Sequence, residues 1–298
     1  MPVRTLPFYK LSPGGNPTIL VHDNALLSDT PGTRAAIAGE LMDPDHLGAE
    51  QVGFLDTSGT LPRMAMMGGE FCVNATRSAA LVFALLDLLP LVSREPEAWE
   101  GDMTTSGVDG VVRVRVTALA ADSALSPAMA RDVAVAFPLP VPESGVSGLV
   151  RDCGPGEALV RLPGITHLLL HTTRHPLPEN PLAAAAAKRA EHGLDAEEAA
   201  GVIWHSPCAD ASGTRRILPV VRVRETDSSI VETACGSGSL ALALLLAQNG
   251  GNTFPVRQPS GHDITIRLEP PAASGGPALA RVSGTVLLRA QGTAWVHA

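Results

Sequence analysis

Two stretches of this chain repeat one another's chemistry at long range. Met67-Gly68-Gly69-Glu70-Phe71-Cys72-Val73-Asn74-Ala75-Thr76-Arg77 sets a cysteine where a Gly-rich turn gives way to an apolar helical pattern. Glu232-Thr233-Ala234-Cys235-Gly236-Ser237-Gly238-Ser239 does the same, with its cysteine 163 residues after Cys72. In each, a glutamate stands two or three residues before the cysteine and small or polar residues follow it. Strands, cysteine, helix: the order occurs twice. A spacing this long is not a short-period repeat and predicts a duplicated α+β unit.

The flanking patterns agree. Strands are expected at Thr5 to Lys10, Thr18 to His22, Gln51 to Asp56, Arg63 to Met67 and Val111 to Thr117. A second set is expected at Val133 to Phe137, Ala158 to Leu162, His167 to Thr173, Val220 to Glu225, Ile264 to Leu268 and Val282 to Arg289. Helical spacing marks Thr33 to Met42, Cys72 to Leu89, Pro181 to Ala200 and Leu240 to Gln248. The Ala- and Pro-rich segment Ala118 to Pro142 reads as the crossing between halves. The predicted domains are therefore 1–118 plus 283–298, carrying Cys72, and 119–282, carrying Cys235.

A hydrophobic fraction of 45% in 298 residues is ample for two cores, and with aromatics at 3% those cores are built of Ala, Val and Leu. The formal net charge of −8, with no Lys/Arg run, makes nucleic acid and anionic membrane poor partners. Met1 to Leu6 lacks the apolar core of a signal peptide, and Ala79 to Val92 is too short to span a bilayer. A soluble cytoplasmic protein is the expectation, and a reducing compartment would keep its four cysteines as thiols.

A lone cysteine is ordinarily a small core residue. Two in matched contexts at helix starts suggest chemistry. The first turn of a helix has unpaired N–H groups and partial positive charge, which favour a thiolate and can hold a carboxylate. Asn74, Thr76, Ser237 and Ser239 suit a helix start. One thiolate removing an α-proton and an opposed thiol returning one to the other face would racemise an amino acid. Holding the substrate between both bases could account for roughly 7–11 kcal/mol of barrier lowering. Elsewhere, His167, His171 and His175 are four apart, but their surroundings read as a strand end and not as a metal face. Cys153 and Cys208 are isolated and read as bystanders. Gly236-Ser237-Gly238 lacks the third glycine of a dinucleotide fingerprint. No metal and no cofactor are expected.

Four segments resemble the diaminopimelate epimerase superfamily of cofactor-independent, two-cysteine racemases and epimerases: Gly15-Asn16 within Lys10 to Val21, Glu70-Phe71-Cys72-Val73-Asn74, Gly164-Ile165-Thr166-His167, and Glu232 to Gly238. The chain looks closest to the histidine racemase branch of metallophore biosynthesis. The resemblance implies two similar domains, each a β-sheet around a central helix, an active site in the cleft between them, a C-terminal strand returning to the first domain, and a homodimer. It makes Cys72 and Cys235 the bases, gives backbone amides near Val73, Asn74, Gly236 and Ser237 the substrate carboxylate, and lines the pocket with Asn16, Asn74, His167 and Glu225. Two positions depart from the diaminopimelate pattern. Ile165 replaces the turn asparagine, and Thr226 stands where an arginine for a distal carboxylate is expected. Histidine or another amino acid without a distal carboxylate therefore fits better than diaminopimelate. Diaminopimelate epimerase, an isomerase of the phenazine-biosynthesis type and a non-catalytic amino-acid-binding protein on the same scaffold remain as alternatives.

Overall fold

The computed structural model describes residues 3–22, 31–94, 96–119, 130–139, 146–207, 210, 212–224, 227–271 and 277–297. The chain forms two compact units, 1–136 with 283–298, and 137–282. The sequence-based division put residues 119–136 in the second half. The difference is one strand, Ala130–Pro138, which pairs antiparallel with Val112–Ala118 of the first unit.

In the first unit, β1 (Val3–Pro13) and β2 (Thr18–His22) form an antiparallel pair. Helix α1 (Pro31–Met42) leads from β2 to the parallel β3 (Gln51–Asp56), and β4 (Arg63–Met66) returns antiparallel. Helix α2 (Val73–Leu85) follows, packed on β1 to β4 and on two later strands, β6 (Glu97–Thr105) and β7 (Val112–Ala118). Between them lies the short β5 (Leu91–Arg94), and β8 (Ala130–Pro138) follows β7. All but the last residue of α2 are buried, because Ala and Val on every side let strands approach from all round. The apolar face of α1 (Ile37, Ala38, Leu41) closes a second core against Leu6, Phe8, Ile19, Val21, Val52 and Phe54.

Arg77 is the exception inside α2. It is fully buried, its Nε donates to Val133 O (3.2 Å) and its Nη2 to Thr285 O (3.3 Å). Burial lowers its pKa to about 10, with Asp132 opposing the shift.

The second unit repeats this plan. β9 (Val150–Gly154), β10 (Glu157–Leu162) and β11 (Ile165–His171) run antiparallel. Helix α3 (Pro181–Glu191) leads from β11 to the parallel β12 (Ala199–His205), and β13 (Arg215–Val223) returns antiparallel. After β14 (Ser228–Val231) comes α4 (Gly236–Ala247), then β15 (Thr253–Arg257) and β16 (Asp263–Glu269). The last strand, β17 (Leu279–His297), pairs from Val286 onward with β1.

The helix expected over Pro181 to Ala200 ends at Glu191, because Gly193 adopts a left-handed conformation (φ 66°) that turns the chain out of the helix. Its supposed last residues open β12, whose every residue is buried. Such a continuous apolar strand has no period-2 signature. The expected helix Cys72 to Leu89 likewise stops at Leu85. Among the described residues no helix is long and apolar enough to cross a membrane.

Candidate active site

Each cysteine is the N-cap of its helix, and the residues that the sequence marks as suited to a helix start, Asn74, Thr76, Ser237 and Ser239, follow it. Cys72 has φ −122°, ψ 111° and Cys235 φ −126°, ψ 105°, both extended. Cys72 Sγ accepts from Ala75 N (3.4 Å), and Cys235 Sγ accepts from Gly238 N (3.2 Å). The hydroxyls of Thr76 and Ser239 donate to the carbonyls of Cys72 (2.8 Å) and Cys235 (2.7 Å). Two segments of different sequence thus reach the same cap geometry atom for atom. Neither cysteine forms a disulfide.

Around Cys72, the partner is a residue the sequence reading missed. The Cys72 thiol donates to Gln51 Oε1 at 2.8 Å, which fixes the direction of the S–H. Gln51 opens β3 and is itself held: its Nε2 donates to Asn16 Oδ1 (2.7 Å) and Thr18 Oγ1 (2.7 Å). Asn16 Nδ2 donates in turn to Glu50 Oε2 (2.5 Å). Asn16, Thr18 and Gln51 are buried, so this polar string is shielded from competing water. The expected site residue Asn16 therefore reaches Cys72 through Gln51. Val73 and Asn74, in the first turn of α2, are buried beside it. A glutamine at the head of an apolar strand was the available signal, since burying its amide demands partners.

Around Cys235, His167 comes in from β11. Its Nε2 lies 3.0 Å from Ser237 Oγ, which lies 3.6 Å from Cys235 Sγ. His167 is fully buried and burial lowers its pKa to about 3, so it is neutral. The first-turn amides of Gly236 and Ser237 have no acceptor among the described residues. Amides at a helix start of this kind can hold an anion such as a carboxylate. Glu225 and Thr226 lie outside the described residues, as does Cys208.

The electrostatics of Cys235 correct one expectation. A helix start alone would ease ionisation. Burial, and next the Glu232 carboxylate, instead push this thiol well above the ordinary range, against the Ser237 hydroxyl and the Gly238 amide. Cys235 therefore rests as the thiol and ionises reluctantly.

Gly201 of β12 is in register with His167. A Cβ there would stand 2.1 Å from His167 Nδ1. Gly201→Ala is therefore expected to cost about 1–3 kcal/mol in urea unfolding. It should also detach His167 from Ser237. Adding His167→Ala should return part of that loss, a coupling that a double-mutant cycle measures. Strict additivity would show the clash to be relieved elsewhere.

The other candidates do not join either cysteine. His171 stacks edge-on with His205, ring centroids 5.1 Å apart, and His175 turns to Pro155 O (3.3 Å). Cys153 Sγ lies 3.6 Å from Arg151 O and packs against the core that contains Leu159 and Leu170. Glu157, Glu191 and His192 could share a cation, but the Lys188 ammonium already bonds Glu157 (2.6 Å) and Glu191 (3.0 Å).

Comparison with known proteins adds to this geometry. The family model described as "Histidine racemase CntK N-terminal domain" matches residues 5–295. A histidine racemase of Fusobacterium nucleatum subsp. nucleatum is 30% identical over 246 residues, 82% of each chain. A diaminopimelate epimerase of Gemmatimonas aurantiaca is 26% identical over 216 residues, 70% of this chain and 66% of the other. Among solved structures, a hydroxyproline epimerase from Agrobacterium vitis covers 98% of this chain and 93% of its own, with TM-score 0.62 and 13% identity, a likeness of fold.

Proposed function

We propose, from the premise that this chain belongs to the histidine racemase family, that Cys72 and Cys235 are the two bases of an amino-acid racemase acting on histidine or another amino acid without a distal carboxylate. The racemase class comes with the family. The residue roles and the substrate are our reading, and one observation carries the roles: the matching cap geometry of two cysteines 163 residues apart. Core packing has no need to repeat φ, ψ, the amide-to-sulfur bond and the hydroxyl on the cysteine carbonyl in two separate helices. A reaction that runs in both directions is served well by two groups of like proton affinity, and two thiols supply such a pair.

In this reading one thiolate takes the α-proton and the other thiol gives a proton to the opposite face. As the α-proton leaves, and before the second is delivered, charge builds on the substrate carboxylate, where the open amides of Gly236 and Ser237 supply stabilisation. Neutral His167 orients Ser237 and cannot add positive charge. Ile165, where the diaminopimelate pattern has asparagine, supports a substrate with no distal amino-acid group. The reading extends to a reducing cytoplasm, a homodimer measurable by sedimentation, and a product destined for a metal-chelating metabolite.

The test is α-proton exchange in deuterated buffer under reductant. L-Histidine is expected to gain deuterium and lose optical rotation, with no cofactor added. Rapid exchange of diaminopimelate with none of histidine would overturn the substrate. A protein that binds histidine without exchanging its α-proton would be a sensor and not a racemase.

A further inference from the structure

We infer that Gln258 is a positioning residue for Cys235, gripping the peptide on both sides of that thiol; the inference rests on Cys235 being a base. The N-cap residue of a helix has its own N–H to satisfy. In a capping box the side chain of the third helical residue reaches back to it. Here that residue is Gly238, and no side chain fits: a Cβ would lie 2.9 Å from Ile203 Cδ1 and 3.0 Å from Cys235 Sγ. The acceptor must come from outside the helix.

Gln258 supplies it. Placed just after β15 and only 2% exposed, it accepts the Cys235 N–H on Oε1 at 2.9 Å. Its Nε2 donates to Ser239 Oγ (2.9 Å) and Val256 O (3.0 Å). Ser239 Oγ in turn donates to Cys235 O (2.7 Å). One amide therefore fixes the cysteine's N–H directly and its carbonyl through a hydroxyl. The loop behind it is pinned too: Gln258 N donates to His262 O (2.9 Å) and Ser260 N to Thr233 O (3.0 Å). With the Cys235 peptide held on both sides and Gly238 N donating to its sulfur (3.2 Å), the thiol is aimed over the first turn. The Cys72 half is built otherwise, since there Gln51 meets the sulfur itself.

The consequence is one-sided. Loss of Gln258 should impair proton transfer at Cys235 and leave Cys72 untouched. Rates alone cannot reveal this, because enantiomers have an equilibrium constant of one and kcat/KM must match in both directions. The isotope effect can. In Gln258→Met, which keeps the length and loses every hydrogen bond, kcat is expected to fall roughly 10- to 100-fold, as small misplacements of a reacting group do. KM should change little. The primary isotope effect measured with α-deuterated L- and D-histidine should rise in one direction only. Gln258→Glu keeps an acceptor for the Cys235 N–H; it should recover part of kcat and carries the same readout where the methionine variant does not fold. Equal isotope effects in both directions, with stability alone reduced, would overturn the inference. Wild-type protein that exchanges no α-proton would instead remove the racemase reading beneath it.

Discussion

Serine in place of Cys72 or of Cys235 is expected to lower racemisation of histidine by roughly 10²- to 10⁴-fold, the range for removing a general acid or base. The substitution isolates chemistry from structure. Serine is a favoured N-cap residue, so its hydroxyl can accept from Ala75 N or Gly238 N as the sulfur does. The helices should keep their starts, and thermal unfolding should barely move. Only the thiol is lost. Because both thiols are needed in each turnover, the double variant should be scarcely slower than the slower single one. Polarimetry gives the rate, and mass spectrometry of the α-deuterium gives the partial reaction. The remaining thiol should still exchange the α-proton of one enantiomer without inverting it. A Cys72→Ser protein with full activity would dismiss the two-thiol scheme in favour of a phenazine-type isomerase.

What the sequence disclosed follows from the range over which each signal acts. The cysteine stretches were legible because a helix start is local: a turn, a small residue and an apolar run within ten positions. So were β2 and β3, which show apolar runs ended by turn residues. Gln51 was not legible as a site residue, since its nearness to Cys72 is made by the pairing of β3 with β4 and the packing of α2 on both. Gln258 was hidden for the same reason, 23 residues from the peptide it holds. Gly201 drew no reading from the sequence, because only the parallel register with β11 sets His167 above it. The first two residues of β12, Ala199 and Ala200, were absorbed into a helix because the Ala- and Glu-rich run before them favours helix locally, and burial of the whole strand overrode that preference. His167 was named from resemblance. Its partner Ser237, 70 residues away, needed coordinates.

Acid should weaken the second unit through its two buried histidines. Burial holds His167 near a pKa of about 3. Burial also holds His205 near about 4, helped by His171 and Arg215 and opposed by its bond to Ser206 O. An unfolded histidine titrates at about 6.5. Between that pH and the folded value, the unfolded chain binds a proton that the folded chain refuses. Stability therefore falls as pH drops from about 6.5 toward 3 for His167 and toward 4 for His205, and is flat above. At about 1.36 kcal/mol per pH unit, His167 alone should remove roughly 2–3 kcal/mol between pH 6.5 and pH 4.5. His167→Gln separates this from everything else. Glutamine does not titrate and can still bond Ser237, while His205 and the carboxylates held low by their partners, such as Glu157 and Glu269, stay as they are. Urea unfolding of both proteins at pH 7.5 and 4.5 should give a loss on acidification smaller in the variant by that amount. Parallel losses would mean that the His167 imidazole reaches water. A protonated ring would then no longer serve Ser237 as the neutral partner that the second half-site requires.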